Sequence, residues 1–413
     1  MKPSTNQSAD LEQVLAFRLE GQHLARRLPP GSLLSAAGAC GIQNTPPGSA
    51  ALALHARVSG LSAEEVNQAL VGDRLLLQAW SLRASPHLFP TREAAVFTLG
   101  LLPVDEESIR SFIKGVEPAL DKIGIAATEV VRLTSEALQD SLDGRAMTKD
   151  ELGIELARWI APKLTPSQLL SWGLPSWYAP GQSLGESVVR FALPITALQG
   201  LYCHADRRGS KAYLMRTDQW LGGLAPESNR EQARAELVRR FLRCYGPSST
   251  EHFAEWAGIG PAQAAQAWKL VESELVRIDF DGRETCLLQP DLERFMSPAT
   301  PAGVRFLPPN DPYLKLRDRA TLVPDKTQQR QLWLRSGNPG VVLADGRLAA
   351  IWRPEKKGNR LLVTVESAAY LPNGIRSEIR SEIRSQIEAE AEGLAPYRGC
   401  ASVEVKYTQA RQG

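Results

Sequence analysis

A chain of 413 residues with 48 Lys and Arg against 46 Asp and Glu carries a net charge of only +2, so totals alone do not announce a nucleic-acid binder. Any anionic partner must be met by local clustering of basic residues. Apolar residues make up 43% and charged residues 23%, which argues against disorder and gives enough material for several cores.

The five cysteines are scattered, with no Cys-x-x-Cys spacing, and His204 beside Cys203 lacks a second pair. That pattern argues against a disulfide framework and structural zinc, and fits a reducing cytosol. The first residues lack an apolar signal core, and no run approaches the ~20 apolar residues of a membrane span. A soluble, cytoplasmic chain is expected.

In chain order, residues 10–28 read as an amphipathic helix and 32–42 as a short apolar one. The latter breaks at Gln43, Asn44 and Thr45, because Pro46, Pro47 and Gly48 cannot continue it. These three polar residues are expected on a stiff, exposed loop. A second helix carries Leu52, Leu54 and Val58, and a third opens at Ser62 with a Ser62/Glu65 capping box. Residues 74–80 and 81–90 read as strands, and 91–102 returns to helix. Helices followed by a β-ribbon give the order of a winged helix, a variant of the helix-turn-helix DNA reader.

The pattern repeats with helices near 106–123, 127–140, 148–160 and 184–198, then a hairpin whose tip is 205–210. The prolines and tryptophans of 162–180 read as an ordered irregular loop. A third copy follows: helix 228–243, a Ser248/Glu251 capping box, a helix opening at Pro261, and a hairpin turning at Asp281-Gly282. From about 300 short strands dominate. The chain closes on Ile375 to Ile387, where isoleucines and Arg376, Arg380 and Arg384 form two helical rows. The fold expected is α+β, mainly α: three tandem winged-helix units, then a small β-barrel and a terminal helix. The boundaries read as 1–102, 103–225, 226–299 and 300–413.

Arg83 and His87 lie four residues apart on one expected strand and so share a face. They suit phosphate contacts, or, for His87, a hydrogen-bonded cover on a core edge. Trp80 reads as core. Arg207, Arg208 and Lys211 on the second wing, with Lys356, Lys357 and Arg360 on a later hairpin, are cationic tips suited to contacts that position a duplex without reading it. No phosphate loop, zincin motif, cysteine nucleophile motif or metal-ligand cluster is present, so neither metal nor cofactor is expected.

Two segments, Cys40 to Ala50 and Trp80 to Pro90, resemble the AlkZ/YcaQ-type winged-helix DNA glycosylases. The family pattern is roughly Leu-Gln-x-Gln (or Gln-x-Asp) before a proline, then Trp-x-x-Arg-x-x-x-His-Leu. Residues 304–314 with Arg317 and Arg319, and residues 342–353 ending in Arg353, agree as well. The resemblance implies three winged helices and a C-terminal β-barrel around duplex DNA; a monomer is expected. It also implies hydrolysis of the N-glycosidic bond of bulky alkylated bases or crosslinks. Its catalytic pair falls on Gln43 and Thr45, flanking Asn44, so this chain has threonine where the family has Gln or Asp. No lysine lies in the motif, so lyase chemistry through a Schiff base is not expected. The resemblance makes Arg317, Arg319 and Arg353 candidate DNA contacts; buried ion pairing of Asp311, Arg317 and Arg319 that braces the barrel is the other reading. The rival to an enzyme is a catalytically silent DNA-binding protein, which the threonine favours; a winged-helix protein scaffold is weaker.

Overall fold

The computed structural model describes residues 7–223, 229–316, 318–367 and 381–409. The chain is α+β and gathers into two compact units. One holds Met1–Gln68, Val238–Phe253 and Val271–Gly413; the other holds Ala69–Leu237 and Ala254–Leu270. Among the described residues no helix is long and apolar enough to cross a membrane.

The first unit begins with an element not foreseen. Gln7–Ala9 pairs in parallel with strand Leu275–Phe280, which in turn forms the expected hairpin with Arg283–Leu288. Asp10 then caps helix Leu11–Gly21, accepting from the Gln13 amide at 2.7 Å. This helix stops well short of 28, because His23 turns left-handed at φ 58°. Its last glycine is obligatory: a Cβ on Gly21 would lie 2.0 Å from the Arg243 carbonyl oxygen. Phe17 meets Phe295 edge-on at 5.4 Å, with Val14, Ile278 and Leu287 buried around them.

The C-terminal part is a five-stranded sheet in the order Val304–Leu307, Gly340–Ala344, Arg347–Lys357, Arg360–Ser367, Ser402–Gln409. All pairs are antiparallel except the last, which is parallel. Its outer strands do not pair with each other, so among the described residues no closed barrel forms. The Trp352 indole donates to the Leu307 carbonyl at 2.8 Å and lies where a Cβ on Gly340 would be, 2.2 Å away. Helix Ser381–Glu392 lays Ile387 and Ala391 into the core with Phe306, Trp352 and Val363. Of the helical rows read from sequence, Ile375, Ile379, Arg376 and Arg380 lie outside the described residues; Arg384 sits over the Tyr407 ring at 4.8 Å.

In the second unit the helices Ala127–Ser141, Lys149–Ile160 and Leu184–Leu198 pack with Leu138, Leu156 and Val188 buried. Strand Met147–Thr148 joins the hairpin Tyr202–Arg208 and Lys211–Arg216. The 162–180 stretch is not all irregular. It contains helix Pro166–Trp172, opened by a Thr165/Gln168 capping box with a proline in the first turn, where proline starts a helix instead of breaking it. Expected helices 91–102 and 106–123 are shorter too. The first keeps only one α-turn, Ala94–Phe97, and the second splits into Glu106–Phe112 and Glu117–Ile123.

Candidate functional site

The Ser62/Glu65 capping box forms in both directions, but the helix before it opens in a less obvious way. Helix Ser49–His55 starts at Gly48, which has no side chain to cap it. Asn44 supplies the cap from four residues back, its Oδ1 accepting from the Gly48 amide at 2.8 Å and the Ala50 amide at 3.3 Å. Asn44 is thereby a local brace for the loop.

Gln43 does not sit exposed on that loop. It ends the two-residue strand Ile42–Gln43 and is 6% exposed, with its carbonyl accepting from Ser49 Oγ at 3.3 Å. The exposure expectation fails because Cys40, Ile42 and Ser49 are themselves buried and draw the strand inward with them. Thr45, by contrast, is exposed. Its carbonyl accepts from Asn310 Nδ2 at 2.6 Å, and Asn310 is held in turn by Lys315 Nζ at 2.7 Å and Asn338 Nδ2 at 3.3 Å. Asn310 adopts φ 64°, a left-handed conformation that asparagine tolerates better than most residues.

The next residue, Asp311, anchors the same segment from inside. Arg57 grips it as a fork, Nη1 to Oδ2 and Nη2 to Oδ1, both at 2.8 Å, with both side chains fully buried. Arg57 also donates to the Ala53 carbonyl, and Asp311 accepts from the Tyr313 amide. Burial works against the Arg57 charge, yet the carboxylate beside it more than offsets this and holds its pKa above the ordinary value. Asp311 is therefore in a buried ion pair with Arg57. Arg57, Asn310 and Lys315 were not singled out from sequence. The one available signal was a lone arginine inside the apolar run from Leu52 to Val58.

The other candidates are dispersed. Arg83 is not on a strand with His87. It occupies a left-handed turn (φ 55°, with Ala84 at φ 50°) between strands Leu76–Trp80 and Pro86–Pro90, and its guanidinium donates to the Trp256 carbonyl. A Cβ on Gly258 would lie 2.7 Å from the Arg83 Cα, so that glycine makes room for the turn. His87 is buried, with Nδ1 2.8 Å from the Ser85 carbonyl oxygen. Trp80 is core, edge-on to Tyr202 at 5.9 Å and to His204 at 5.6 Å.

Arg207, Arg208 and Lys211 are exposed at the hairpin tip, Arg208 stacked on Tyr213 at 4.7 Å. Arg319 stacks on Trp333 at 4.9 Å, and Arg353 is exposed on its strand. Arg317 lies outside the described residues. On the later hairpin, Lys356 Nζ is held by the Gly399 carbonyl at 2.9 Å, and Arg360 pairs with Glu404 at 2.9 Å. Among the described residues no three His, Cys, Asp or Glu side chains gather as a metal site.

The family model for DNA glycosylase AlkZ-like proteins matches residues 36–397, a span that includes the Gln43–Gly48 loop. The chain belongs to that family. Among characterised relatives, the interstrand DNA cross-link repair glycosylase of Streptomyces sahachiroi is 26% identical over 359 residues, 83% of this chain and 88% of that protein. The solved structure of the Streptomyces sahachiroi DNA glycosylase AlkZ shares the fold, with a TM-score of 0.73 at 23% identity, covering 97% of this chain and 100% of that one.

Proposed function

We propose that this protein is a DNA-repair glycosylase that hydrolyses the N-glycosidic bond of bulky alkylated or crosslinked bases in duplex DNA. It acts as a monofunctional monomer, with three winged-helix units presenting the duplex. The observation that supports it most is the Gln43–Gly48 loop, fixed at Asn44 by the helix it caps and at Thr45 by Asn310. A cationic alkylated base already leaves well, so the site must mainly position water and stabilise an oxocarbenium-like sugar. The Gln43 amide oxygen is an acceptor that can do both. Its low exposure strengthens the case electrostatically, since a fixed dipole acts on a developing cation far more strongly where water is scarce.

Thr45 is the departure from the family pair. Its hydroxyl can orient water but brings no second amide or carboxylate, and this favours one other reading, a silent DNA binder. The two are separated by incubating the protein with duplex carrying N7-alkylguanine and then cutting abasic sites at neutral pH, without heating, with an abasic-site endonuclease, since hot alkali would itself break the strand at the alkylated base. The glycosylase yields strand breaks at the alkylated position; a silent binder protects the duplex and yields none.

The exposed tip of Arg207, Arg208 and Lys211 gives a second expected result. Reversing all three to glutamate should weaken duplex binding whatever its sequence and flatten the dependence on salt, because phosphate contacts release counterions. A titration in which the triple variant binds with the parent's affinity and salt slope would remove this hairpin from the interface.

A further inference from the structure

Helix Arg230–Tyr245 opens with Asn229 capping the Glu231 and Gln232 amides at 2.9 and 3.1 Å. Its first turns carry Arg230 and Arg234 four residues apart, a spacing at which like charges repel. Both turn to the same neutral acceptor: Nη2 of Arg230 and Nη2 of Arg234 donate to the Leu102 carbonyl at 2.5 and 3.2 Å. Neither forms an ion pair with any carboxylate among the described residues. Other arginines of the same unit are neutralised, Arg110 by Glu106, Arg132 by Glu129 and Arg216 by Asp218, each at 2.6 Å.

The pair is also held firmly. Gly100 lets the segment before Leu102 approach the helix, for a Cβ there would lie 3.0 Å from the Ala233 carbonyl oxygen. Gln263 Nε2 fixes the neighbouring Leu101 carbonyl at 2.8 Å. The Nε atoms of both arginines are shielded from solvent and find no acceptor. Burial lowers the pKa of each; for Arg230 the charge of Arg234 adds to the effect, whereas at Arg234 the Glu231 carboxylate offsets part of it. Two half-buried, mutually repelling guanidinium groups on a rigid base are unfavourable in isolation. An anion that accepts from their remaining N–H groups relieves the repulsion and completes the hydrogen bonding.

We propose that Arg230 and Arg234 form a clamp for a backbone phosphate of the bound duplex, separate from the Arg207–Lys211 hairpin. This rests on the reading that the protein binds DNA. The forks suit phosphate oxygens, contacts that position a duplex without reading it.

The test is fluorescence anisotropy of the full chain with an undamaged labelled duplex between 50 and 200 mM salt, on the order of the range where phosphate contacts dominate. Arg230→Gln and Arg234→Gln should each reduce the slope of log affinity against log salt by about 1, and the double variant by about 2. Arg132→Gln, at an arginine already paired with glutamates, should leave the slope unchanged. Melting temperatures of the double variant should equal or exceed the parent's, since a like-charge pair is removed. Lys at both positions should keep most of the slope. A double Gln variant with the parent's slope overturns the clamp, even where the parent binds DNA. A parent that binds no duplex overturns both the clamp and the DNA reading. A parent that binds with a steep slope but releases no base removes the glycosylase reading and leaves the clamp to stand or fall on its own variants.

Discussion

Gln43→Leu should slow base release from an alkylated duplex by about a hundredfold at saturating DNA, the loss of about 2–3 kcal/mol expected when a water-positioning dipole is removed. Leucine fills nearly the same space, which matters because Gln43 is 6% exposed and deleting its bulk would confuse chemistry with packing. Gln43→Glu keeps an acceptor in place and should retain most of the rate. Thr45→Gln restores the family pair at an exposed position and should raise activity on stable alkylated bases. DNA affinity should change little in all three. Single-turnover rates decide the matter. If Gln43→Leu releases base as fast as the parent, the glutamine is structural, and the Asn310-braced loop only shapes the wall of the site.

The largest stability effect is expected at Arg57 and Asp311. Asp311→Asn or Arg57→Leu leaves one fully buried charge without its partner, which costs roughly 3–5 kcal/mol, a sizeable part of the about 5–15 kcal/mol that holds a typical protein together. The paired replacement Arg57→Met with Asp311→Leu removes both charges together and should recover much of that loss. Urea unfolding midpoints provide the measurement. A single variant within about 1 kcal/mol of the parent would mean that water reaches the pair, contrary to its burial. Because Asp311 follows Asn310, the unpaired variants should also loosen the hold on Thr45 and lower the rate of base release.

What the sequence made legible follows the range of the interaction. The capping box at Ser62 and the Asp281-Gly282 hairpin lie within a few residues and were readable from composition and spacing. One capping assignment slipped by a residue: Ser249 Oγ accepts from the His252 amide, while Ser248 bridges to Cys286 through its backbone. Strand Ser402–Gln409 carries a period-two pattern, Val403, Val405, Tyr407, short enough to be masked by the helical period that precedes it. Arg83 and Ala84 enter the left-handed region with no glycine to signal it. For the candidate site the motif residues were visible, but their setting was not. Asn310 and Thr45 are 265 residues apart and Arg57 and Asp311 are 254 apart, and no local periodicity encodes such pairs.

The discontinuous first unit bears on how the protein is made. Ala69–Leu237 leaves the ribosome as one stretch and lacks only Ala254–Leu270 to complete its unit. The unit that holds Gln43 needs Val271–Gly413, so the earliest part of the chain to be synthesised must wait for the latest. Until residue 311 emerges, Arg57 has no carboxylate to enter the core with, and until Asn310 emerges nothing fixes Thr45. Nascent chains arrested so that residues up to between 270 and 300 have emerged from the ribosome should therefore show a protease-resistant middle and a susceptible beginning, the reverse of the N-terminus-first order usual for multidomain chains.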